Sequence, residues 1–212
     1  MTQLVLPYPW EPGEHMAVIG DTGSGKSTLM GGLDGEPGLL DYRKWVTILR
    51  SKGDDVRYNA KRIVTAMPHL QDPKLFHLEL FPRRGRELRE FEIALDTCFK
   101  QKGWTVYVDE LYHADRLLSL RPKIEDYFTR GRSLGLTMVV GLQRPVSVSR
   151  FAISQSKHVI VFSQEGRDAK TIGDATTPRI VPVIEQLARY QFVWFERATK
   201  RLWVGTLQDL WG

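Results

Sequence analysis

Apolar residues along this chain fall into short dense runs separated by amphipathic stretches. Met16-Ala-Val-Ile19 is one such run and is closed by Gly20. The segment from about Lys26 to Leu33 reads as a helix, broken by Gly35, Pro37 and Gly38. Trp45-Val-Thr-Ile-Leu49 is short, β-branched and bounded by polar residues, the pattern of a buried strand. Lys52-Gly-Asp-Asp55 then turns the chain, and Arg62-Ile-Val-Thr65 is a further strand candidate. Leu75 to Leu80 alternates, with Leu75, His77 and Glu79 on one side and Phe76, Leu78 and Leu80 on the other.

Between Arg86 and Lys100 the apolar positions Leu88, Phe91, Ile93, Ala94, Leu95, Cys98 and Phe99 take helical spacing, and Gly103 caps the end. Trp104-Thr-Val-Tyr-Val108 and Leu136 to Leu142 are near-continuous apolar runs, as expected of parallel strands covered on both faces. A helix over about Ile124 to Leu134 separates them, stopped by Gly135. A helix near Ser149–Gln155, a strand at His158–Phe162 and a hairpin made of Tyr190–Glu196 and Arg201–Leu207 complete the reading. Strands alternating with helices predict an α/β fold with a mostly parallel central sheet flanked by helices and a C-terminal β-hairpin. In such a sheet ligands bind at the carboxyl ends of the strands.

The chemistry-bearing residues follow strands, as that rule requires. Gly20-Asp21-Thr22-Gly23-Ser24-Gly25-Lys26-Ser27 fits G-x-x-x-x-G-K-[ST], with a strand before it and a helix after it. Backbone N–H groups of such a loop wrap a β-phosphate, and the helix N-terminus adds partial positive charge. Lys26 is expected at the β- and γ-phosphates of ATP and Ser27 on Mg²⁺, with Thr28 beside them. Trp104-Thr-Val-Tyr-Val-Asp109-Glu110 resembles a Walker B segment, which would put Asp109 on the metal and Glu110 against the attacking water. Gln143, at the tip of the Leu136–Leu142 strand, is placed to sense the γ-phosphate. The interval between Lys26 and Asp109 leaves room for an inserted strand. With the Asp-Glu pair, this points to the additional-strand, catalytic-Glu class of RecA-like P-loop NTPases. The sequence contains no N-K-x-D for guanine and no L-S-G-G-Q.

Composition narrows the setting. With 42% hydrophobic and 26% charged residues over 212 positions, the chain is globular and not disordered. One P-loop ATPase domain over residues 1–212 is expected, with a core at about 12–174 and a hairpin extension at about 186–212. Cys98 is the only cysteine, which excludes an intramolecular disulfide and a multi-cysteine zinc site and suits a buried thiol in a reducing compartment. No apolar run reaches the ~18 residues of a membrane span, and no signal peptide is visible at the start. The net charge of +5 allows a nucleic-acid partner without requiring one. Arg83-Arg84-Gly85-Arg86 and Arg121-Pro122-Lys123 are loop-like basic clusters, either of which could face DNA or simply be solvated. Trp45, Trp104 and Trp194 belong in the core, whereas Trp203 and Trp211 could seal a subunit interface. His15, His69, His77, His113 and His158 lack metal-ligand spacing and are expected to be structural.

Three segments together resemble the FtsK/HerA superfamily of DNA-pumping ATPases. They are the stretch from Gly13 through the phosphate loop to Thr28, Val106-Tyr-Val-Asp-Glu110, and Gly131-Arg-Ser-Leu-Gly-Leu-Thr-Met-Val-Val-Gly-Leu-Gln-Arg-Pro145. Ser51-Lys52-Gly53-Asp54 is similar to that family's D-P-K-G-[DE] segment, and the match runs in order over about Pro12 to Asp174. The resemblance implies a homo-oligomeric ring, usually a hexamer, with ATP bound between subunits and an arginine reaching a neighbour's site. Arg132 is the first candidate for that arginine and Arg130 the second. Arg167 and Lys170 are rivals, in a stretch similar to D-S-R-T-I-L-D with Lys170 where that branch has arginine. A bare motor of this size looks like the genome-packaging ATPases of bacterial and archaeal viruses, often membrane-containing ones. That reading implies double-stranded DNA and a capsid or membrane-vertex protein as partners, in the host cytoplasm or at the packaging vertex. A plasmid- or conjugation-type DNA pump, or a nucleotide-dependent assembly or secretion factor that moves no DNA, are the alternatives.

Overall fold

A computed structural model describes residues 4–51, 58, 62–68, 76–147 and 150–211. The expected turn at Lys52–Asp55, the Lys52–Asp54 part of the family-like segment, Leu75, His69 and the helix start at Ser149 lie outside the described residues.

In chain order the strands are β1 (Met16–Ile19), β2 (Val46–Leu49), β3 (Arg62–Val64), β4 (His77–Leu80), β5 (Thr105–Val108), β6 (Thr137–Leu142), β7 (His158–Phe162), β8 (Phe192–Glu196) and β9 (Arg201–Gly205). The helices are α1 (Lys26–Gly31), α2 (Glu87–Gln101), α3 (Arg121–Arg130), α4 (Arg150–Gln155), α5 (Gly166–Ala175) and α6 (Val181–Ile184). Among the described residues the strands form one sheet in the order β3-β4-β2-β5-β6-β1-β7-β8-β9. Every pairing from β3 through β7 is parallel. The β8–β9 hairpin continues the sheet antiparallel on β7. The fold is that of an α/β P-loop NTPase.

The apolar runs follow from this burial. Along β1, Ala17 and Ile19 face a core with α2 to α6, while Met16 and Val18 face one containing α1, Trp10 and Leu210. Helix α2 turns Phe91, Ala94, Leu95 and Cys98 inward at i, i+3, i+4, i+7, with Glu87 and Glu90 in its first turn and Lys100 in its last. Cys98 is buried beside Thr47 and burial pushes its thiol up to about 12, so it stays protonated and packs as a small apolar group.

Several boundaries differ from expectation. α1 stops at Gly31, two residues early. α3 begins at Arg121 and ends at Arg130, and a separate 3-10 turn covers Arg132–Leu134. The strand expected within residues 75–80 is β4, which starts at His77. It is an interior strand with all four residues buried, its polar side chains each given a partner. His77 Nε2 lies 2.7 Å from the Arg43 carbonyl, and Glu79 is ion-paired with Arg50. Trp104 and Trp194 are core residues, and Trp45 is packed against the core as well. Trp203 and Trp211 pack within the chain's own fold; Trp211 Nε1 donates to the Pro37 carbonyl at 3.1 Å. Among the described residues no helix is long and apolar enough to cross a membrane.

Candidate functional site

The phosphate loop leaves β1 where Gly20 N–H donates to the Leu142 carbonyl of β6 at 3.0 Å. A Cβ on Gly20 would lie 2.6 Å from Ser24 Oγ and 2.8 Å from Phe162 Cβ, so only glycine fits there. Gly23 and Gly25 take positive φ, 77° and 107°, and the second turns the chain directly into α1. Asp21, Thr22 and Gly23 form an exposed tip, while Lys26 is buried. Its ammonium donates to the carbonyls of Gly20 and of Asp21, the latter at 2.8 Å, so the charge is folded over the loop it is meant to serve. Phosphate oxygens are stronger acceptors than these carbonyls and would take their place.

Asp109 ends β5, and both the backbone N–H and the hydroxyl of Ser51 donate to its Oδ1, at 3.0 and 2.7 Å. These bonds fix one carboxylate oxygen from the β2 side. Gly141 of β6 presses on the other side; a Cβ there would sit 2.4 Å from the Asp109 carbonyl. Glu110 follows, half-buried, and its carbonyl accepts the Ala114 N–H at 3.3 Å as the chain enters a π-helical turn over His113–Leu117. Because β6 lies between β5 and β1, half-buried Gln143 at its carboxyl end stands between Asp109–Glu110 and the phosphate loop. The structure therefore brings residues 20–28, 109, 110 and 143 to one sheet edge.

Tyr58 was not singled out in the sequence. It is buried against Tyr107, ring centroids 5.8 Å apart, beside Ser27 and Asp109. Burial raises its phenol, with the Asp109 charge adding, and Tyr107 is raised by burial, then by Tyr58 and Asp109. Both phenols stay neutral and can donate. The hydroxyl of Ser24 is buried without a hydrogen-bond partner among the described residues. Behind these side chains, burial raises the Glu79 carboxyl against the pull of Arg50.

Next to the first turn of α1 opens a recess of about 320 Å³ lined by Thr28, Leu29, Leu33, Phe162, Tyr190 and Gln208 among others. Its size and apolar walls suit a nucleobase whose phosphates occupy the loop. Tyr190 stands against Gly25 in a left-handed backbone conformation, φ 67°, with the Arg189 guanidinium 4.7 Å over its ring. Such a strained tyrosine at a loop is a mark of a functional position. No sequence pattern marks Tyr190 or Gln208, because they come from turns distant in the chain.

Ser27 and Asp109 are hard oxygen donors on facing elements. Among the described residues there is no group of three or more His, Cys, Asp and Glu able to hold a metal alone. One carboxylate, one hydroxyl and the ligand's own phosphates are what Mg²⁺ takes, so the residues fit that ion.

The candidate arginines separate by edge. Arg130, at the end of α3, is exposed; its Nη1 lies 3.1 Å from both Asp126 oxygens and its guanidinium 5.3 Å from the Phe99 ring. Arg132 lines a recess of about 350 Å³ with Glu14, His15, Lys157 and Arg197. Both precede β6 and so lie toward the amino edge, opposite the phosphate loop. Arg167 and Lys170 are exposed on α5, which leaves the carboxyl end of β7.

No protein-family model and no curated protein matches the chain. Solved structures do. The genome packaging NTPase B204 from Sulfolobus turreted icosahedral virus 2, in complex with ATP-gammaS, superposes with a TM-score of 0.75 at 16% identity, over 93% of this chain and 98% of that one. EssC (ATPases 2 and 3) from Geobacillus thermodenitrificans gives 0.58 at 13% identity, covering 89% of this chain and 39% of that one. The pCW3 conjugation coupling protein TcpA with ATPgS gives 0.56 at 14%, over 93% and 61%. At these identities the likeness is one of fold: the chain shares the P-loop NTPase architecture of these structures.

Proposed function

We propose that this chain is a Mg²⁺-dependent ATPase that moves double-stranded DNA through a ring of its own copies, most closely suited to packaging a viral genome. The observation that carries the reading is the single sheet edge that gathers the phosphate loop, Asp109–Glu110 and Gln143 beside a base-sized recess. The likeness in fold to a packaging NTPase, at a TM-score of 0.75 against 0.58 for EssC and 0.56 for TcpA, supports it.

In this reading the loop amides and Lys26 hold the β- and γ-phosphates, and Ser27 and Asp109 hold Mg²⁺. The ion neutralises phosphate charge. Glu110 orients a water molecule and accepts its proton as the water oxygen bonds to the γ-phosphorus. The bond from that phosphorus to the β–γ bridging oxygen breaks, and ADP leaves with that oxygen. Gln143 hydrogen-bonds the γ-phosphate or the water. Tyr190 covers the base. Arg132, facing away from its own loop, serves the next subunit, with Arg130, Arg167 and Lys170 as the other candidates.

The test is steady-state ATP hydrolysis against protein concentration, with and without duplex DNA. Activity that rises more steeply than linearly and is stimulated by DNA is expected; linear, DNA-blind activity overturns the motor reading. Glu110→Gln should retain ATP binding and lose about 100-fold or more in turnover. Undiminished turnover in that variant removes Glu110 from the mechanism.

A further inference from the structure

Two basic clusters stand out in the sequence, and the structure treats them differently. At the start of α3, Arg121 Nε lies 2.8 Å from Glu125 Oε1 and Lys123 Nζ 2.6 Å from Asp96 Oδ1, so both cations are neutralised within the chain. The other cluster is a turn between β4 and α2, closed by Arg86 N–H donating to the Arg83 carbonyl at 2.9 Å. Arg83, Arg84 and Arg86 are exposed there, and so is Arg89 in the first turn of α2. Among the described residues none of these four guanidinium groups is ion-paired or hydrogen-bonded. Among the described residues a Cβ on Gly85 at the tip would meet nothing within 4 Å, so the tip is open there. One acid close by in the chain is turned away: Glu90 is buried and its Oε2 accepts the Met67 N–H at 3.1 Å. Glu87 and Glu92, half-buried, remain on the α2 side.

The turn also lies on the working edge. It leaves the carboxyl end of β4, which is separated from β5 by β2 alone. That puts it about 10 Å of sheet width from the strand that carries Asp109.

We propose that the Arg83–Arg89 turn is the surface that holds the phosphate backbone of double-stranded DNA, and that the Arg121–Lys123 cluster is not. This inference rests on the DNA-motor reading above. Unpaired exposed guanidinium groups bind phosphates without reading sequence, which is what a translocase requires.

The experiment measures binding of the full chain to a fluorescent duplex between 50 and 200 mM salt, with ATPγS present. Wild type is compared with Arg83→Ala/Arg84→Ala/Arg86→Ala and with Arg121→Ala/Lys123→Ala. The triple variant should bind about tenfold or more weakly at 0.1 M salt, and its slope of log K against log salt should be shallower by about 2 to 3. Its DNA-independent ATP hydrolysis should equal wild type, and the corresponding triple lysine variant should recover most of the affinity. Arg121→Ala/Lys123→Ala should bind within about twofold of wild type. Wild-type duplex binding with an unaltered triple variant overturns the inference alone. So does a triple variant that loses binding to phosphatidylserine vesicles while keeping duplex. Wild type that binds no duplex at all overturns the motor reading, and this inference with it.

Discussion

His15 shows how much a single side chain can be asked to do away from the chemistry. Its Nδ1 accepts the Met138 N–H at 3.0 Å, so the proton sits on Nε2, which is buried without a partner among the described residues. Burial, then the charge of Arg132, holds its pKa down to about 4. Unfolded, the ring titrates near 6.5. Above pH 6.5 neither state is charged and the contribution is fully present. As pH falls from 6.5 to 4 the unfolded chain binds a proton that the native one refuses, and stability drops by about 1.4 kcal/mol per unit, roughly 3 kcal/mol in all. Melting temperature against pH should therefore fall less steeply in His15→Gln than in wild type over that interval; parallel curves would refute the assignment. Tyr190 belongs to the same scale. Tyr190→Ala should weaken ATP binding roughly three- to tenfold, the worth of one aromatic contact, and leave inorganic triphosphate binding unchanged. Equal losses for both ligands would place Tyr190 at the phosphates instead. Lys26, Ser27, Asp109, Glu110 and Gln143 were legible in the sequence because each sits in a run whose neighbours name it. Tyr58 and Tyr190 were not, because folding alone brings them to the site; Ser51 was marked only as part of a family-like segment, and its bonds to Asp109 come from the fold.

Elements were legible where their inward faces are large and apolar. β1, β5, β6 and β7 announce themselves by uninterrupted runs, and α2 by Phe91, Leu95 and Cys98. Helix α5 did not, because Ala169, Ile172 and Gly173 are most of what it turns inward and two of these are too small to make a stripe. Its Gly173 accommodates Val181, whose Cγ2 would lie 2.6 Å from a Cβ there. Residues 4–12 contribute fully buried Trp10 to the core without any periodicity to reveal it. β4 was legible as a strand from its alternation, but its full burial was not: His77 and Glu79 are polar and buried, each satisfied by a partner flanking β2. The contact between β6 and β5 makes its own prediction. Gly141→Ala forces a Cβ into the Asp109 carbonyl and should cost about 1–3 kcal/mol, a melting shift of roughly 2–12 °C for a chain this size. Mg²⁺-dependent nucleotide affinity should fall along with it, since the strand that moves carries Asp109. A variant as stable as wild type would show that β6 can yield.

At the scale of the molecule, the sheet has two unlike edges. Its carboxyl edge holds the proposed nucleotide site, and its amino edge holds Arg132 in a recess with Lys157 and Arg197. In the proposed motor the arginine on one copy finishes the site on the next, a head-to-tail contact that must close on itself. That polarity makes two separately dead proteins useful to each other. Lys26→Ala cannot hold phosphate but still presents Arg132; Arg132→Ala holds phosphate but has nothing to lend. Mixed in equal amounts and assembled at random, about one junction in four pairs an intact loop with an intact arginine. The mixture should recover up to about a quarter of wild-type hydrolysis per site, although neither parent has any. A mixture as inactive as its parents would mean that the arginine serves its own subunit, or none. Complementation of this kind turns the orientation of one 3-10 turn into a direction around the ring: each copy has a giver's side and a receiver's side, and a single defective member silences one neighbour and not the other.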